Sequence, residues 1–488
     1  MGVKELNNHL FIKSKKLLKE IEEKKDIFIF TNSTVDGLIC GSIIFKSIFN
    51  NFGNATLRCF TEKIEKAIDE IFDEKHDFYI FTDFNSSIID RVKTVFDKDA
   101  FLFINTDSII KTENSTTYEN ILNPWLYNLD GQREINCSGL AYFLIKNFDR
   151  KSNDIAYLPI ISALSKDQDI GEDKSLIGLN NEILQSILKL NVLEQRKRLD
   201  ISEVEAIPIT NVLENNTNHY IKEITWNKKT SLKIIKDSQI QISKLDGNIR
   251  LFRDLDETEF TKIYESIIKF LQDNSKLNDS KIVREILFGF SFILNNEEDE
   301  GYLKNAKTFV KVIELCISEQ KYSLALSICL GDRSGEIMNQ IHEIVTRYNN
   351  LIKKTSSHLF AEKWRFYDDR ETIFINGEGV IEPKYADFFI IFLEKSISFA
   401  DRLICLRILD SEEYYKIIIA KTKFCKYDLT KIREKINEKL VEKEKEGDKE
   451  KDDIQIIDKD KLEIKISVNN LEDFLSNIKK IIINERVS

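Results

Sequence analysis

Residues 31–37 read TNSTVDG, and they follow the apolar run DIFIFT at residues 26–31. The run is typical of a buried strand, and LICGSIIFKSIF at residues 38–49 is typical of a helix. The stretch therefore predicts a strand-to-helix turn that carries one carboxylate, Asp36. On its own this pair of elements fits a helix N-cap. In that role Asp36 accepts hydrogen bonds from backbone N–H groups, and Gly37 relieves steric crowding in the turn.

Strands and helices continue to alternate after this turn. Strands are predicted at 55–60, 77–82 and 101–105, and helices at 62–72 and 88–95. This alternation predicts a parallel sheet with helices on both faces. Ligands of such sheets bind beyond the carboxyl ends of the strands, so the polar segments NSTVDG, DFNSS and NTDS are expected to converge on one crevice.

The rest of the chain changes character twice. Helices are predicted at 138–147, 155–164 and 180–199, and residues 255–355 have helical periodicity nearly throughout. Strand patterns return at 363–368, 371–376, 403–409, 415–421 and 462–468, before a final helix at 471–483. We predict an α/β protein with a parallel-sheet domain at 1–200, a linker and all-helical insert domain at 201–355, and an α/β domain at 356–488.

Composition excludes several classes of protein. Hydrophobic residues make up 42% and charged residues 32% of the chain, as in ordinary globular proteins. The net charge of −10 argues against a broadly basic nucleic-acid-binding surface, although a local basic groove is compatible with it. The seven cysteines form no CxxC pair, and no apolar run is long enough for a membrane span. We therefore expect a cytoplasmic protein with no membrane contact.

The order of the segments resembles the DHH phosphoesterase superfamily, and within it the archaeal RecJ-like proteins, which are akin to cell division cycle protein forty-five. The resemblance covers nearly the whole chain. The segments that carry it are the turn at 32–37, Asp83 in FTDFNSS, Asn105-Thr106-Asp107, NPWLYNLDGQREINCSGLAYFL at 123–144, and YLKNAKTFVKVIELCISEQKYSLALSICLGDR at 302–333.

The resemblance implies a site that has lost most of its metal ligands. Members hold two divalent cations, usually Mn²⁺, with a His-x-Asp-x-Asp-Gly turn, a lone Asp, an Asp-His-His trio and a Gly-Asp pair. In this order, the corresponding residues here are Asn32, Thr34, Asp36, Asp83, Asn105, Thr106, Asp107 and Lys166. A slip of one residue would replace Lys166 by Asp167. None of the five histidines stands at these positions, and only Asp36, Asp83 and Asp107 remain as candidate metal ligands.

A second element of the family is also missing. Its Gly-Gly-His substrate loop should fall near 441–456, where the sequence is VEKEKEGDKEKDDIQI. The charge-dense run at 438–453 is itself typical of a solvated helix end or a mobile loop. Together these losses predict a protein without catalytic residues or a resident cofactor.

Each retained residue has a simpler interpretation as well. Asp83 and Asp107 could be turn or cap residues, and Lys166 could be an exposed loop lysine. The alternative for Lys166 is that it replaces the lost cations and pairs with Asp36 or Asp83. A lysine in that position would reduce the repulsion between the carboxylates of a buried acidic crevice.

For function, the resemblance implies a non-catalytic archaeal subunit equivalent to the Cdc subunit of the CMG helicase. Such a subunit would bind the GINS complex and, through it, the MCM helicase, and a groove of it could touch single-stranded DNA. Two alternatives stay open. One is a divergent Mn²⁺-dependent single-strand exonuclease or oligonucleotide phosphodiesterase that uses Asp36, Asp83 and Asp107. The other is a free-standing single-strand-binding or regulatory module.

Overall fold

The computed structural model describes residues 2–60, 68, 73–108, 118–274, 279–369, 371–445, 453–458 and 461–485. The chain divides into two compact units. The first comprises 1–198, 203–206 and 289–345, and the second comprises 199–202, 207–288 and 346–488. The predicted domain boundaries at residues 200 and 355 stay a prediction.

The first part of the chain builds a five-stranded parallel sheet in the order β2-β1-β3-β4-β5. Its elements are α1 (Gly2–Glu22), β1 (Asp26–Asn32), α2 (Val35–Asn50), β2 (Asn54–Phe60), β3 (Phe78–Thr82), α3 (Ile89–Val95), β4 (Phe101–Ile104), β5 (Ile121–Leu122), α4 (Cys137–Ile145), α5 (Leu158–Ser165), α6 (Gly178–Lys189) and β6 (Leu193–Leu199). The predicted α/β fold class is confirmed. The helix predicted at 62–72 lies outside the described residues, apart from residue 68.

The apolar strand runs explain why this sheet forms. Every residue of β3 is buried, and so are the five central residues of β1. Phe28, Phe30, Phe81 and Phe103 pack in one cluster on the sheet. A strand that is buried on both faces reads as a continuous apolar run, which is the signal that predicted β1 and β3.

The middle of the chain is mostly helical. It contains α7 (Lys228–Asp237), α8 (Glu257–Asn274), α9 (Ser280–Leu287), β7 (Phe288–Leu294), α10 (Ala306–Ser318), α11 (Tyr322–Leu330) and α12 (Gly335–Ala361). The helical prediction for 255–355 is wrong at β7, which pairs with β6 in a two-stranded sheet. Gly289 lies in this strand, and it allows a close approach, because a Cβ there would lie 2.7 Å from the carbonyl oxygen of Asp173.

The long helix predicted at 180–199 is also wrong. Helix α6 ends at Lys189, and Asn191 adopts a left-handed conformation with φ of 55°. The amide of Val192 then donates to the carbonyl of Ile187, which closes the helix end. The charged run that follows forms β6, since its backbone pairs with β7.

The last part of the chain builds a six-stranded sheet in the order β12-β13-β11-β10-β9-β8. Its elements are β8 (Phe366–Asp368), β9 (Thr372–Asn376), α13 (Ala386–Glu394), β10 (Leu403–Leu409), β11 (Tyr414–Lys421), α14 (Leu429–Lys445), β12 (Asp453–Asp458), β13 (Lys461–Ser467) and α15 (Leu471–Glu485). Only the β9–β10 pair is parallel among the paired strands of this sheet. The strands predicted in this region are present, and β12 is an addition to them.

Short 3-10 helices complete the described secondary structure. They lie at Ser86–Ile88, Pro124–Tyr127, Ser152–Ile155, Glu172–Lys174, Phe252–Asp254, Pro383–Tyr385, Ile397–Phe399 and Val468–Asn470. Within the described ranges, no helix combines the length and apolar character that crossing a bilayer requires.

Candidate functional site

The polar segments after β1, β3 and β4 meet at the carboxyl edge of the parallel sheet. The side-chain amide of Asn32 donates to the carbonyl of Asp83 at 2.9 Å. The Thr34 hydroxyl hydrogen-bonds the Asp83 carboxylate, and Asp83 has a left-handed backbone with φ of 59°. Aspartate tolerates this conformation better than most residues, so the turn after β3 can aim its carboxylate at β1.

Lys166, just past the end of α5, lies between the two retained carboxylates. Its ammonium nitrogen is 2.8 Å from Oδ2 of Asp36 and 3.2 Å from Oδ1 of Asp83. A third contact, at 3.2 Å, joins it to the hydroxyl oxygen of Thr106. The neighbouring Asp167 is exposed, so the residue that reaches this crevice is the lysine.

The helix-capping role expected for Asp36 is wrong for its own helix. The N-cap of α2 is Thr34, whose hydroxyl accepts a hydrogen bond from the Gly37 amide at 2.9 Å. The turn still needs a glycine, because a Cβ on Gly37 would lie 2.5 Å from the carbonyl oxygen of Asn32. Asp36 is thereby left to face away from the start of α2.

Asp36 instead contacts the start of a different helix, α4, whose N-cap residue is Asn136. Its two carboxylate oxygens accept the backbone amides of Cys137 and Ser138 at 2.9 and 2.8 Å. The hydroxyls of Ser138 and Ser162 each donate to Oδ1 at 2.6 Å. A fully buried carboxylate is stable only when its lone pairs are satisfied, and these four hydrogen bonds and Lys166 satisfy them.

The three charged groups shift one another's proton affinities. Burial alone would raise the pKa of Asp36, but Lys166 and the two serine hydroxyls outweigh burial and lower it to about 2. For Asp83, burial and the nearby Asp36 charge outweigh Lys166, so its pKa is raised. Burial lowers the pKa of Lys166, yet the two carboxylates raise it well above its usual value. Asp36 and Lys166 therefore form the stable ion pair, and Asp83 is the more readily protonated acid.

This difference predicts a pH-dependent contribution of Asp36 to stability. Its pKa falls from 3.8 to about 2 on folding, so its stabilisation is present above the unfolded pKa and lost as the pH falls through the folded one. The wild type should have a higher free energy of unfolding than Asp36→Asn at pH 4. We expect this difference to be about 2 kcal/mol smaller at pH 2. Urea unfolding followed by circular dichroism measures it.

A matched control for this experiment is Asp90→Asn, since the Asp90 side chain is 95% exposed. Its effect on stability should be small and should stay nearly constant over the same range. A difference between wild type and Asp36→Asn that does not narrow in acid would contradict the assignment.

The remaining predicted positions line the same edge but are held by other partners. Oδ1 of Asn105 accepts a hydrogen bond from the side-chain amide of Asn123 at 2.8 Å. The side-chain nitrogen of Asn105, Nδ2, is buried without a hydrogen-bond partner in the described structure. The carboxylate of Asp107 accepts from the Ser86 amide at 3.3 Å. Asp107 is thus drawn to the 3-10 turn after β3.

The sequence interpretation missed Cys137, Ser138 and Ser162 as parts of this site. The Cys137 thiol donates to Oδ1 of Asp83 at 3.3 Å, and burial raises its pKa well above the usual value. Cys137 and Ser138 lie in the segment at 123–144 that carries the resemblance, but nothing in the sequence indicated their contact with Asp36. All three residues lie on helices α4 and α5 that pack against the turn.

The residues present do not fit a dinuclear manganese centre. In the described part of the chain, the atoms of Asp36, Asp83 and Cys137 that could ligate a metal lie within 4.8 Å of one another. Two divalent cations in close proximity need several carboxylates and imidazoles around them. Here two of the three groups already bind the Lys166 ammonium, whose charge would repel a cation at the same place.

His76 does not offer a substitute ligand. It lies at the opposite edge of the sheet, where its Nδ1 is 2.7 Å from a carboxylate oxygen of Asp26 at the start of β1. Its ring stacks on Phe28 with the centroids 4.5 Å apart. His76 precedes β3, so it lies at the end of that strand away from the crevice.

Comparisons with known proteins agree on the fold. The sequence matches no protein-family model. An uncharacterized protein of Methanocaldococcus jannaschii is 25% identical over 355 residues, which cover 69% of this chain and 76% of that protein. The structure of CDC45 from Entamoeba histolytica is similar with a TM-score of 0.59 at 13% identity, covering 97% of this chain and 99% of that chain.

A second solved structure is that of exonuclease RecJ bound to manganese. Its TM-score is 0.52 at 11% identity, with 96% of this chain and 93% of that chain covered. Both similarities extend over nearly the whole chain, and the resemblance predicted from the motifs is confirmed at the level of the fold. The chain has the DHH-type fold that CDC45 and RecJ share.

Proposed function

We propose that this chain is a non-catalytic subunit of an archaeal replicative helicase assembly. In this role it binds the GINS complex and, through it, the MCM helicase, as a scaffold. The observation that carries the proposal is the Lys166 ammonium, which bridges Asp36 and Asp83 where the family motifs would hold metal ions. The similarity in fold to CDC45 supports the choice of assembly.

The chemistry of the site supports a loss of hydrolysis. A metal-dependent phosphoesterase needs a Lewis acid that polarises the phosphate and ionises a water molecule. An ammonium group bound to two carboxylates can do neither efficiently, because it carries one charge that its partners already neutralise. The carboxylate of Asp36 is also committed to the start of α4. What remains is a set of contacts that stabilises the fold.

The experiment is a pull-down with the GINS proteins of the same organism. We expect the chain to retain GINS, and to retain MCM only when GINS is present, because the proposed link to MCM is indirect. Helicase activity of MCM with GINS should rise when the chain is added. A chain that retains neither GINS nor MCM would overturn the scaffold proposal.

One observation favours a second candidate, a divergent manganese-dependent single-strand nuclease. Asp36, Asp83 and Cys137 are close enough to ligate one ion. A manganese titration with single-stranded DNA and short RNA separates the two functions. The scaffold proposal expects no cleavage at any concentration, whereas cleavage by the wild type that is lost in Asp83→Ala would establish the nuclease.

A further inference from the structure

The buried ring of His219, in the second unit, has an acceptor beside each of its two nitrogens. Nδ1 is 3.0 Å from the main-chain carbonyl oxygen of Lys395, and Nε2 is 3.2 Å from a carboxylate oxygen of Asp200. The side chains of His219 and Asp200 are each 10% exposed. A neutral imidazole carries one N–H and one lone pair, so it can donate to only one of these oxygens. Both contacts are hydrogen bonds only when the ring is an imidazolium ion.

The helix end next to the ring favours the same charged form. Lys395 is the C-cap residue of α13, where main-chain carbonyls have no partner within the helix. These carbonyls give the end of a helix a partial negative charge, which stabilises a cation beside it. The other oxygen of Asp200 accepts the side-chain amide of Asn218 at 3.0 Å, which stabilises the ionised carboxylate. His219 thus lies between a carboxylate and the negative end of a helix.

The charges on the segments around the ring act in the same direction. Asp200 contacts the ring directly, and it follows β6 in the chain. The other charged residues near His219 in these segments are Glu214, Lys222 and Glu223 in its own loop and Glu394 and Lys395 at the end of α13. Acids outnumber lysines in this set, and a negative surrounding favours the protonated ring.

His219 belongs to a segment, residues 218–222, that is fastened to the turn after α13; we call this segment the strap. The Tyr220 carbonyl accepts hydrogen bonds from the Ile397 amide at 3.1 Å and from the Ser396 hydroxyl at 3.0 Å. Neither of these bonds involves a titratable group, so neither depends directly on pH. The two contacts of the His219 ring do, because one of them requires the added proton.

We propose that His219 and Asp200 form a pH-sensitive contact, which holds the strap at the end of α13 while the ring is charged and weakens when the ring loses its proton. A neutral ring would turn a lone pair toward one of the two oxygens, and Asp200 would stay buried without a counter-charge. Histidines of an unfolded chain release their proton at about pH 6.5. The stabilisation is therefore complete below that pH and is lost as the pH rises and the folded chain releases the proton.

Hydrogen–deuterium exchange of the full-length chain, followed by mass spectrometry, tests the contact. Peptides that cover residues 218–222 and 395–399 are compared at about pH 6 and about pH 9, after correction for the intrinsic effect of pH on exchange. We expect the protection of both peptides to be about tenfold lower at the higher pH, which is the effect of losing one charge-assisted hydrogen bond. Protection that does not change with pH in the wild type would overturn the proposal.

Two variants and a matched control locate the effect. His219→Gln keeps a neutral donor and should show the low protection of the strap at both pH values, and Asp200→Asn should also lose the pH response. The control is His358→Gln, which removes a 51% exposed histidine that pairs with Glu362 in the same unit. It should keep the response of the wild type. A pH response that persists in His219→Gln would assign it to another group and overturn the proposal.

Nuclear magnetic resonance of the chain labelled with ¹⁵N-histidine gives a second measurement that needs no stable variant at position 219. We expect both ring nitrogens of His219 to carry a proton at about pH 7, where an exposed histidine is mostly neutral. Its signal is the one that is absent from His219→Gln or, if that variant does not fold, the one that Asp200→Asn shifts. A neutral His219 ring at this pH would overturn the proposal. Both measurements use the isolated chain, so their outcome does not depend on the proposed function.

Discussion

Replacing Lys166 by methionine is expected to lower the free energy of unfolding by about 3–5 kcal/mol. The variant keeps most of the aliphatic volume of the lysine but leaves Asp36 and Asp83 close together without a counter-charge. Asp83, whose pKa is already raised, would take up a proton more readily still. The deficit should therefore grow as the pH rises, and urea unfolding at several pH values measures it.

Two further variants test whether the loss of stability comes from the charge of Lys166. Lys151→Met replaces an exposed lysine of the same unit and should change stability by less than about 0.5 kcal/mol. Adding Asp83→Asn to Lys166→Met removes the repulsion and should recover a large part of the loss. If Lys166→Met is as stable as the wild type, the lysine does not compensate the charges of Asp36 and Asp83. The observation that carries the scaffold proposal would then no longer support it.

Replacing Lys166 by aspartate is expected to convert the crevice into a manganese site. The substitution removes one positive charge and adds a third carboxylate beside Asp36 and Asp83. The metal-free variant should be less stable than the wild type, because three buried carboxylates repel one another. Manganese should then raise its melting temperature, and a concentration of 100 times the dissociation constant would add about 2.7 kcal/mol of stability.

The wild type is the first control for this experiment, and its melting temperature should not respond to the same manganese concentrations. The second control is Asp36→Asn combined with Lys166→Asp, which removes one ligand and should abolish most of the shift. A wild type that is stabilised by manganese as strongly as Lys166→Asp would show that the lysine does not exclude the ion. It would also favour the nuclease interpretation.

The sequence was informative where a signal is local. The turn at 31–37 was predictable because the strand before it has a buried apolar centre and the helix after it, which begins at Val35, is rich in apolar residues. Motif order placed either Lys166 or Asp167 at this crevice once the resemblance was recognised, and the contacts of the Lys166 ammonium with Asp36 and Asp83 decide between them. The backbone partners of Asp36 could not be predicted, because Cys137 and Ser138 lie 101 and 102 residues further along the chain.

The errors share a physical cause, which is that tertiary pairing overrides local preference. The run LEQRKRL at 193–199 contains good helix-forming residues, so the sequence favoured an extension of α6. In the fold it pairs with β7, and Arg198 is buried against Glu205 at 2.6 Å. Strand preference depends on such neighbours more than helix preference does, and neighbours far apart in sequence leave no local signal.

The bond between Asp36 and the start of α4 has a consequence for how such proteins are recognised. A carboxylate that serves the backbone of another helix is needed whether or not any ion is ever bound, so its presence says little about chemistry. A screen that counts this aspartate as a mark of hydrolytic competence therefore counts a residue that the fold needs in any case. The residue at position 166, which contacts this aspartate, is more informative, because a lysine there occupies the place of a cation and an aspartate there could bind one.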